Sequence, residues 1–326
     1  MNSRIENFEN LIKTDYGNIA GIAVLIGSEK VYESYFDGYT ADDTIHVASV
    51  TKSIISALIG IAIDQGFIKS IDQNILEFYP DYTVKRGEKT IQDITIKNML
   101  TMTAPYKYKS EPYTKVYTSE DWTKAALDLL GGKDAPGEFR YSTIGIQVLS
   151  GILTYATGQS VLHFATDNLF EPLGIEAPPN AMIHCKEDYL AFLKNKDVSG
   201  WMMDPKGTHT AGWGLALTVM DMAKIGQMYL NQGFWNGRQV LSSTWIKDST
   251  QESSRWGDLA YGYLWWIVSN EGGGCYAALG DGGNAIYVNS NKKMVVTIAS
   301  RFMPRAKDRI ELITKYILPL FEPTKE

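Results

Sequence analysis

The spacing of apolar residues predicts strands near both ends of the chain and a helix at each terminus. Residues 1–15 and 306–321 place apolar side chains at helical spacing and predict amphipathic helices. Runs rich in apolar and β-branched residues predict strands over 19–26, 31–36, 261–268, 275–279, 285–289 and 294–300, with turns at 27–30, 272–274 and 289–293. Because both ends have this character, we expect them to form one antiparallel sheet.

The middle of the chain has helical spacing instead. Helices are predicted over residues 94–102, 120–130, 143–156, 161–170 and 219–232, and a short helix over 71–80 that ends at Pro80. The pattern therefore predicts an α+β fold: a five-stranded antiparallel sheet flanked by terminal helices, plus an all-helical insert. Residues 1–45 and 255–326 would form the sheet subdomain, and residues 46–254 the mostly helical one.

The most apolar of the predicted helices begins at a candidate for chemistry. Ser49 and Lys52 lie one turn apart, and the residues that follow are apolar or small nearly all round until Gly66, as in a helix buried on every side. A buried ammonium must be paired or have its pKa lowered. Such a lysine can act as general base for the Ser49 hydroxyl, and the positive end of the helix favours negative charge there. The pair predicts an acylating serine that needs no catalytic histidine.

A chance match is the alternative interpretation of this pair. Ser-x-x-Lys is expected about once by chance in a chain of this length. The pattern does recur, at Ser290 and Lys293, inside a polar stretch. We interpret that second copy as a solvated hairpin turn, because only the first copy opens an apolar helix.

Acyl transfer also needs a proton shuttle and donors for the oxyanion. Tyr141 precedes the predicted helix 143–156, whose N-terminus would favour a phenolate, and a core tyrosine is the alternative. The glycine-rich stretch around Asp281, Gly282 and Gly283 follows a predicted strand. Glycines in that position indicate close approach of a ligand or another backbone, with a plain turn or bulge as the alternative.

Aromatic residues offer further candidates for the wall of a pocket. Residues 105–118 form a predicted loop with four tyrosines, which either packs its own rings at the surface or lines a substrate as a lid. Trp201, Trp213 and Trp265 are also candidates for a pocket wall, although core packing is the preferred interpretation for each.

Composition and charge exclude several classes of protein. The 326 residues carry a net charge of −6 and no clustered basic patch, so no nucleic-acid partner is expected. Two cysteines and four histidines lack metal-ligand spacing, so neither a metal nor another cofactor is predicted. The polar N-terminus does not resemble a signal peptide, and no run of about 18 apolar residues is present to span a membrane. A cytoplasmic location is expected, with a secreted protein that has lost its leader as the alternative. The sequence predicts no particular oligomeric state.

Taken in order, these motifs resemble the serine β-lactamase and penicillin-binding-protein superfamily, in the class C-like branch with its related esterases and nylon-oligomer hydrolases. Residues 48–52 resemble the nucleophile motif, residues 136–142 the region of the Tyr-x-Asn motif, and residues 211–226 the glycine-led segment before a long helix. Residues 261–266 resemble the strand before the Lys-Thr-Gly-like motif, whose counterpart is 281–283. The resemblance covers nearly the whole chain.

The resemblance implies a role for several residues by their position. Ser49 would be the acylated nucleophile, and Lys52 and Tyr141 would share the roles of general base and acid. The oxyanion hole would consist of the backbone N–H groups of Ser49 and Asn284. The resemblance also implies a β-lactamase-like fold, an active site at the interface of the two subdomains, and a small-molecule ester or amide as substrate.

Two candidate substrate-binding residues depart from the family pattern, while Gly282 and Gly283 beside them fit it. Thr143 stands where asparagine is usual, which removes an amide that helps to orient the lysine. Asp281 stands where lysine or histidine is usual, and an aspartate repels the carboxylate of a β-lactam or a D-alanyl peptide. We therefore expect a serine hydrolase of neutral or cationic esters or amides. The alternatives are a β-lactamase or penicillin-binding D,D-peptidase, and a catalytically weak ligand-binding member of the fold.

Overall fold

The computed structural model describes residues 2–196, 199–269 and 274–321. The strands are β1 (Ile19–Ile26), β2 (Glu29–Tyr35), β3 (Ile45–His46), β4 (Asn180–Ala181), β5 (Trp201–Met202), β6 (Ala216–Leu217), β7 (Phe234–Trp235), β8 (Arg238–Gln239), β9 (Ser254–Trp256), β10 (Leu259–Tyr261), β11 (Trp266–Ser269), β12 (Cys275–Gly280), β13 (Asn284–Asn289) and β14 (Met294–Ser300). The α-helices are α1 (Asn2–Asp15), α2 (Val50–Asp64), α3 (Ile96–Leu100), α4 (Tyr113–Tyr117), α5 (Trp122–Leu127), α6 (Gln147–Thr157), α7 (Val161–Ala165), α8 (Glu171–Leu173), α9 (Lys186–Lys194), α10 (Val219–Leu230), α11 (Ser243–Ser249), α12 (Arg309–Leu312) and α13 (Leu318–Phe321). Turns of 3₁₀ helix occupy Ile75–Phe78 and Thr90–Asp93, and turns of π-helix occupy Thr166–Phe170 and Ile313–Ile317.

Within the described residues, eight strands form one antiparallel sheet in the order β2-β1-β14-β13-β12-β11-β10-β9. The two ends of the chain meet at the second and third strands of this order, where β1 pairs with β14 and Ile22 lies opposite Ile298. The predicted α+β class is confirmed, because helices and an antiparallel sheet contributed by both ends are present. The predicted number of five strands is wrong.

The extra strands lie at the edge of the sheet, in segments with little hydrophobic pattern. β9 and β10 are three residues each and pair with Leu259 opposite Trp256. The predicted strand 261–268 is interrupted because Tyr263 N donates a 2.9 Å hydrogen bond to Ser249 O, outside the ladder. Backbone pairing with distant segments determines these strands, and local spacing cannot reveal it. Of the turn predicted at 272–274, Gly272 and Gly273 lie outside the described residues.

The helix predictions find most helices but misplace several ends. The helix expected over 143–156 begins only at Gln147, because residues 143–146 form tight turns. The segment 71–80 contains only the 3₁₀ turn Ile75–Phe78, and α9 was not predicted. The C-terminal helical segment begins at Arg309, where the Asp308 side chain caps the first turn.

Helices cover both faces of the sheet. In β1, Ile22 and Val24 pack on one side with α1 and the C-terminal helices, whereas Ala23 and Leu25 face the core that contains α2. Successive side chains of a strand point to opposite faces, so a strand covered on both faces is apolar throughout. Helix α10 packs on β1, β13 and β14.

Helix α2 lies inside the larger of the two hydrophobic cores. Its residues from Val50 to Ala62 are all buried, and it packs against α6, β12 and β13. At Gly60 an added Cβ would lie 2.6 Å from the Trp245 ring, so only glycine allows this approach. The packing holds the first turn of α2 beside the turn that joins β12 to β13.

Candidate active site

Ser49 and Lys52 face each other at the start of α2. Lys52 Nζ lies 2.9 Å from Ser49 Oγ, 3.2 Å from Thr143 Oγ1 and 2.7 Å from the carbonyl oxygen of Gly212. Lys52 is buried, whereas Ser49 is partly exposed. An ammonium has three N–H donors, and these three oxygens account for all of them. A neutral lysine that keeps its bonds to Thr143 and Gly212 directs its lone pair at Ser49 Oγ.

The backbone before Ser49 has an uncommon conformation. Ala48 has φ of +50°, in the left-handed region that residues with a side chain rarely adopt. Neighbouring segments impose it: Ile45 in β3 pairs with Leu217, and Val47 N donates a 2.9 Å hydrogen bond to Leu215 O. Strain of this kind persists where surrounding structure fixes the backbone. The corner between β3 and α2 thereby presents Ser49 at the protein surface.

Thr143 supplies an orienting contact for the lysine in place of an amide. Its hydroxyl accepts from Lys52, and the carbonyl of Gly212 accepts another bond on the same amine. A Cβ on Gly212 would lie 2.6 Å from Thr143 O, so the two segments approach this closely only with glycine at this position. Residues that are 91 and 160 positions from Lys52 therefore complete its surroundings.

Tyr141 lies on the other side of the same amine. Its ring centroid is 5.0 Å from Lys52 Nζ, and the ring stacks on Trp266 at 5.9 Å with an interplanar angle of 19°. The helix-terminus argument for Tyr141 is wrong, because α6 begins six residues later and a helix dipole acts only within about one turn. The positive group close to the Tyr141 ring is therefore the Lys52 amine and not a helix N-terminus.

Glu111 joins the tyrosine-rich segment to the Tyr141–Thr143 stretch, and the sequence did not indicate it. Its carboxylate accepts 2.8 Å hydrogen bonds from Ser142 Oγ and from Ile144 N, and another from the Tyr113 hydroxyl. Ser142 Oγ in turn accepts from Gly145 N. One acidic residue in a loop rich in tyrosine and lysine was the only available signal.

The turn of Asp281, Gly282 and Gly283 is held by segments from both chain termini. Asn18 Nδ2 donates to Gly282 O at 2.7 Å, and Arg309 Nε donates to Gly283 O at 3.1 Å. Arg309 Nη2 also donates to Asn18 Oδ1 at 2.7 Å. Gly282 and Gly283 have φ of +82° and +95°, and a Cβ on Gly283 would meet the Arg309 guanidinium at 2.5 Å. The glycines are therefore required by the turn itself.

Asn284 fixes this turn to the strand that precedes Ser49. Its side chain is buried, donates 3.2 Å hydrogen bonds to His46 O and to Asp281 O, and accepts one from Ser300 N. The Asp281 side chain is exposed at the surface. The role of the Asn284 backbone N–H in an oxyanion hole stays a prediction.

Ser49 opens onto a cleft of about 950 Å³. Thr143 and Asp281 also line it, with a set of aromatic side chains: His46, Tyr113, Tyr117, Trp122, Tyr189, Trp213 and Phe302. The preferred interpretation of Trp213 as a core residue is wrong, because it is only partly buried and lines the cleft. Trp201 and Trp265 are core residues, as expected.

The tyrosine-rich segment contributes both to the core and to the cleft. Tyr106 is buried and stacks on Tyr108 at 5.2 Å, whereas Tyr113 and Tyr117 line the cleft. Part of the segment forms α4. Both interpretations of the loop are met in part, because some of its rings pack on one another and others line the cleft. Its rings form one wall close to Thr143.

His46 lines the cleft, and the sequence did not indicate it. Its Nε2 accepts a 3.1 Å hydrogen bond from Gly214 N, and its ring lies 5.9 Å from that of Trp213. Burial lowers the pKa of His46 to about 3, so the imidazole is neutral at pH 7. It packs against Trp213 as an uncharged, hydrogen-bonded ring.

Other candidate features lie elsewhere. The second Ser-x-x-Lys copy, Ser290 and Lys293, is in the turn between β13 and β14, as predicted. Across the described ranges no group of three His, Cys, Asp or Glu side chains is arranged to hold a metal ion. Of the helices in those ranges, none is long and apolar enough to cross a membrane.

The sequence relatives of the chain include a hydrolase with a named substrate. The 6-aminohexanoate-dimer hydrolase of Paenarthrobacter ureafaciens is 26% identical over 276 residues, which cover 77% of this chain and 64% of that protein. The chain thus spans slightly less than two thirds of the length of this curated relative.

Solved structures share the fold at lower identity. A candidate 6-aminohexanoate-dimer hydrolase from Bacillus anthracis superposes with a TM-score of 0.74 at 20% identity, covering 96% of this chain and 80% of that one. A penicillin-binding-protein homologue from Caulobacter crescentus superposes with a TM-score of 0.69 at 18% identity, covering 93% and 92%. A family model described as Beta-lactamase matches residues 8–318. With this match over almost its full length, the chain belongs to the Beta-lactamase family.

Proposed function

We propose that this chain is a serine hydrolase that forms an acyl-enzyme on Ser49 and cleaves small esters or amides. The observation that carries the proposal is the Lys52 amine, 2.9 Å from Ser49 Oγ, with two further acceptors bound and an open cleft in front. The Paenarthrobacter relative, named as a hydrolase of the 6-aminohexanoate dimer, supports action on a small substrate.

Acylation would use these groups in a fixed order. Ser49 Oγ attacks the substrate carbonyl carbon while its proton passes to neutral Lys52, whose new charge is stabilised by Thr143 Oγ1 and Gly212 O. The backbone N–H groups of Ser49 and Asn284 donate to the oxyanion. Tyr141 delivers a proton to the leaving oxygen or nitrogen as its bond to carbon breaks. Water then attacks the acyl-enzyme, with the same groups acting in reverse.

Asp281 favours neutral or cationic substrates over carboxylates. It lines the same cleft as Ser49, and its charge repels the carboxylate of a β-lactam or a D-alanyl peptide. Membership of the family keeps a β-lactamase or D,D-peptidase as the second candidate function. A long-lived adduct of penicillin on Ser49 would establish that candidate, and absence of an adduct at millimolar drug would remove it.

The site combines both predicted subdomains. Ser49 and Thr143 come from the segment 46–254, and Asp281 from the segment 255–326. We retain the division at residues 45 and 255 as a proposal, with the cleft between the two parts.

Labelling with a fluorophosphonate, which reacts with activated serines, tests the proposed function. We expect one adduct per chain by intact mass, mapped to Ser49 and absent in Ser49→Ala. Ser290→Ala, in the second Ser-x-x-Lys copy, is the matched control and keeps the adduct. Hydrolysis of p-nitrophenyl butyrate should follow the same pattern. A folded protein with neither adduct nor ester hydrolysis would overturn the proposal in favour of a ligand-binding member of the fold.

A further inference from the structure

We propose that the cleft beside Ser49 contains a subsite for a cationic ammonium group, with Asp281 supplying the negative charge and Tyr189 and Trp213 the aromatic wall. The substrate class that follows is an ester or amide carrying a primary or quaternary ammonium. This substrate class rests on the proposed function, whereas binding of the ammonium group does not.

The aromatic wall is built around Trp213. Its ring makes edge-to-face contacts with Tyr117 at 5.3 Å, with Tyr189 at 5.8 Å and with His46 at 5.9 Å. All four side chains line the cleft. Trp213 directly follows Gly212, whose carbonyl binds the Lys52 amine, so the wall begins beside the reacting groups. Ring faces attract ammonium groups that approach within about 6 Å, and tryptophan attracts them most strongly.

The negative charge lies next to this wall. Asp281 lines the same cleft, and its carboxylate raises the pKa of the Tyr189 hydroxyl in addition to the larger effect of burial. The charge of Asp281 therefore acts on the Tyr189 hydroxyl. Asn18 and Arg309 hold the turn that carries Asp281, so the backbone position of this residue is fixed. A carboxylate next to exposed aromatic rings is the combination that selects a cation over a neutral group of the same shape.

Lys186 is the opposing charge in the cleft. It lies three residues before Tyr189 on α9 and is exposed. A lysine at the surface extends its long, flexible side chain and keeps its ammonium in water, so it gives way to a ligand more easily than a charge on a fixed turn does. Removal of the Lys186 charge should strengthen the binding of a cation in the cleft.

Choline and 3,3-dimethylbutan-1-ol test the subsite, because they have the same shape and differ in charge. Binding to the full chain is measured by calorimetric titration, and competitive inhibition is measured against p-nitrophenyl butyrate. We expect choline to bind at least about fivefold more tightly at low salt, given the usual strength of ring–cation and exposed charge contacts. The preference should fall as salt is added, because the carboxylate is exposed.

Variants separate the charge from the wall. Asp281→Asn should remove most of the preference for choline, whereas Asp134→Asn, an exposed aspartate outside the cleft lining, should leave it unchanged. Lys186→Gln should increase the preference. Tyr189→Leu should reduce it and Tyr189→Phe should keep it, since phenylalanine retains the ring.

The outcomes distinguish this inference from the proposed function. Equal binding of the two alcohols, or no binding of choline, overturns the subsite even if Ser49 reacts and neutral esters are cleaved. A choline preference that depends on Asp281, in a protein without adduct or ester hydrolysis, supports the subsite and overturns the proposed function. A preference unchanged in Asp281→Asn and insensitive to salt overturns the assignment to Asp281.

Discussion

Lys52 carries its amine inside the protein, where an ammonium loses its hydration and needs acceptors in its place. Ser49, Thr143 and Gly212 provide three of them. Only the bond to Ser49 joins the amine to the proposed reacting atom, and the other two determine where the amine points. At the scale of single residues, the proposed chemistry therefore depends on the Lys52 amine and on the two residues that orient it.

Removal of an acid–base group is the first prediction at this scale. We expect Lys52→Ala and Tyr141→Phe to lower kcat for p-nitrophenyl butyrate at least about 10²-fold, the usual contribution of a positioned proton-transfer group. Circular dichroism should show a folded protein in both cases. Rates like those of the wild type in either variant would contradict the role given to that residue.

Thr143 offers a smaller and more selective test. Thr143→Val keeps the shape of the side chain and removes the acceptor that lies 3.2 Å from Lys52 Nζ. We expect kcat to fall about tenfold or more, the scale of one hydrogen bond to a charged group. Thr143→Ser retains the hydroxyl and should restore most of the activity. Equal rates for the valine and serine variants would show that the hydroxyl does not orient the lysine.

At the scale of elements, the Glu111 carboxylate helps to attach the segment around α4 to the stretch that contains Thr143, beside a 2.6 Å hydrogen bond between the Tyr108 and Ser142 hydroxyls. Glu111 accepts from the Ser142 hydroxyl and from the backbone of Ile144, and thereby joins the wall that contains Tyr113 to the turn that contains Thr143. A long loop needs such a contact to line a cleft in one position, because its own backbone has few partners. The cleft wall and the surroundings of the Lys52 amine are thus connected through hydrogen bonds.

Glu111→Gln tests this connection. The amide oxygen can keep the bonds from Ser142 and Ile144, and its N–H₂ can donate to the Tyr113 hydroxyl, but these bonds lose the charge of the carboxylate. We therefore expect kcat/KM to fall about tenfold, because bonds to a charged group are stronger than bonds to a neutral one. Limited proteolysis within residues 105–118 should become faster. Glu120→Gln changes an exposed glutamate close in sequence and is the matched control. An unchanged cleavage rate would show that Glu111 does not hold the segment.

At the scale of the whole molecule, both chain termini support the site from behind the sheet. Asn18 follows α1 and Arg309 opens α12, and together they bind the carbonyls of Gly282 and Gly283. Burial lowers the pKa of Arg309 to about 10, which still leaves it charged at pH 7. Folding of the terminal helices is therefore coupled to the geometry of the turn that carries Asp281.

The stability of the whole fold should depend on pH through buried histidines. Burial lowers the pKa of His209 to about 4, against about 6.5 in an unfolded chain. Between these values the unfolded state binds more protons, so the free energy of unfolding decreases as the pH falls from 6.5 towards 4, by about 1 kcal/mol per pH unit. His46 acts in the same direction, with its pKa lowered to about 3.

Urea unfolding at pH 7, 6 and 5 measures this slope. His209→Gln should make the slope smaller, because the variant has no proton to gain at that position, and the contribution of His46 should remain. His163→Gln changes an exposed histidine and should retain the slope of the wild type. The same slope in both variants would show that His209 titrates alike in the folded and unfolded protein.

Local geometry let the sequence predict several features correctly. Ser49 and Lys52 are three residues apart on one helix, so helical periodicity alone predicts that their side chains meet. The strands Ile19–Ile26 and Met294–Ser300 were predicted with their observed bounds, because long apolar runs of strand-forming residues carry a strong signal. The order of the motifs along the chain also indicated the family, which the family match shows.

Tertiary structure decided what depends on contacts between distant segments. Periodicity identifies an apolar side chain but not whether it faces the core or a cleft, so Trp265 was placed correctly and Trp213 was not. The acceptors at Thr143 and Gly212 and the fixed turn at Asp281 depend on packing between segments far apart in sequence. The sequence by itself determined that the side chains of Ser49 and Lys52 meet, because one turn of helix sets their separation. Only the folded chain brought to this pair the oxygens that orient the Lys52 amine and the rings and charge of the cleft, because no local periodicity encodes contacts made across the fold.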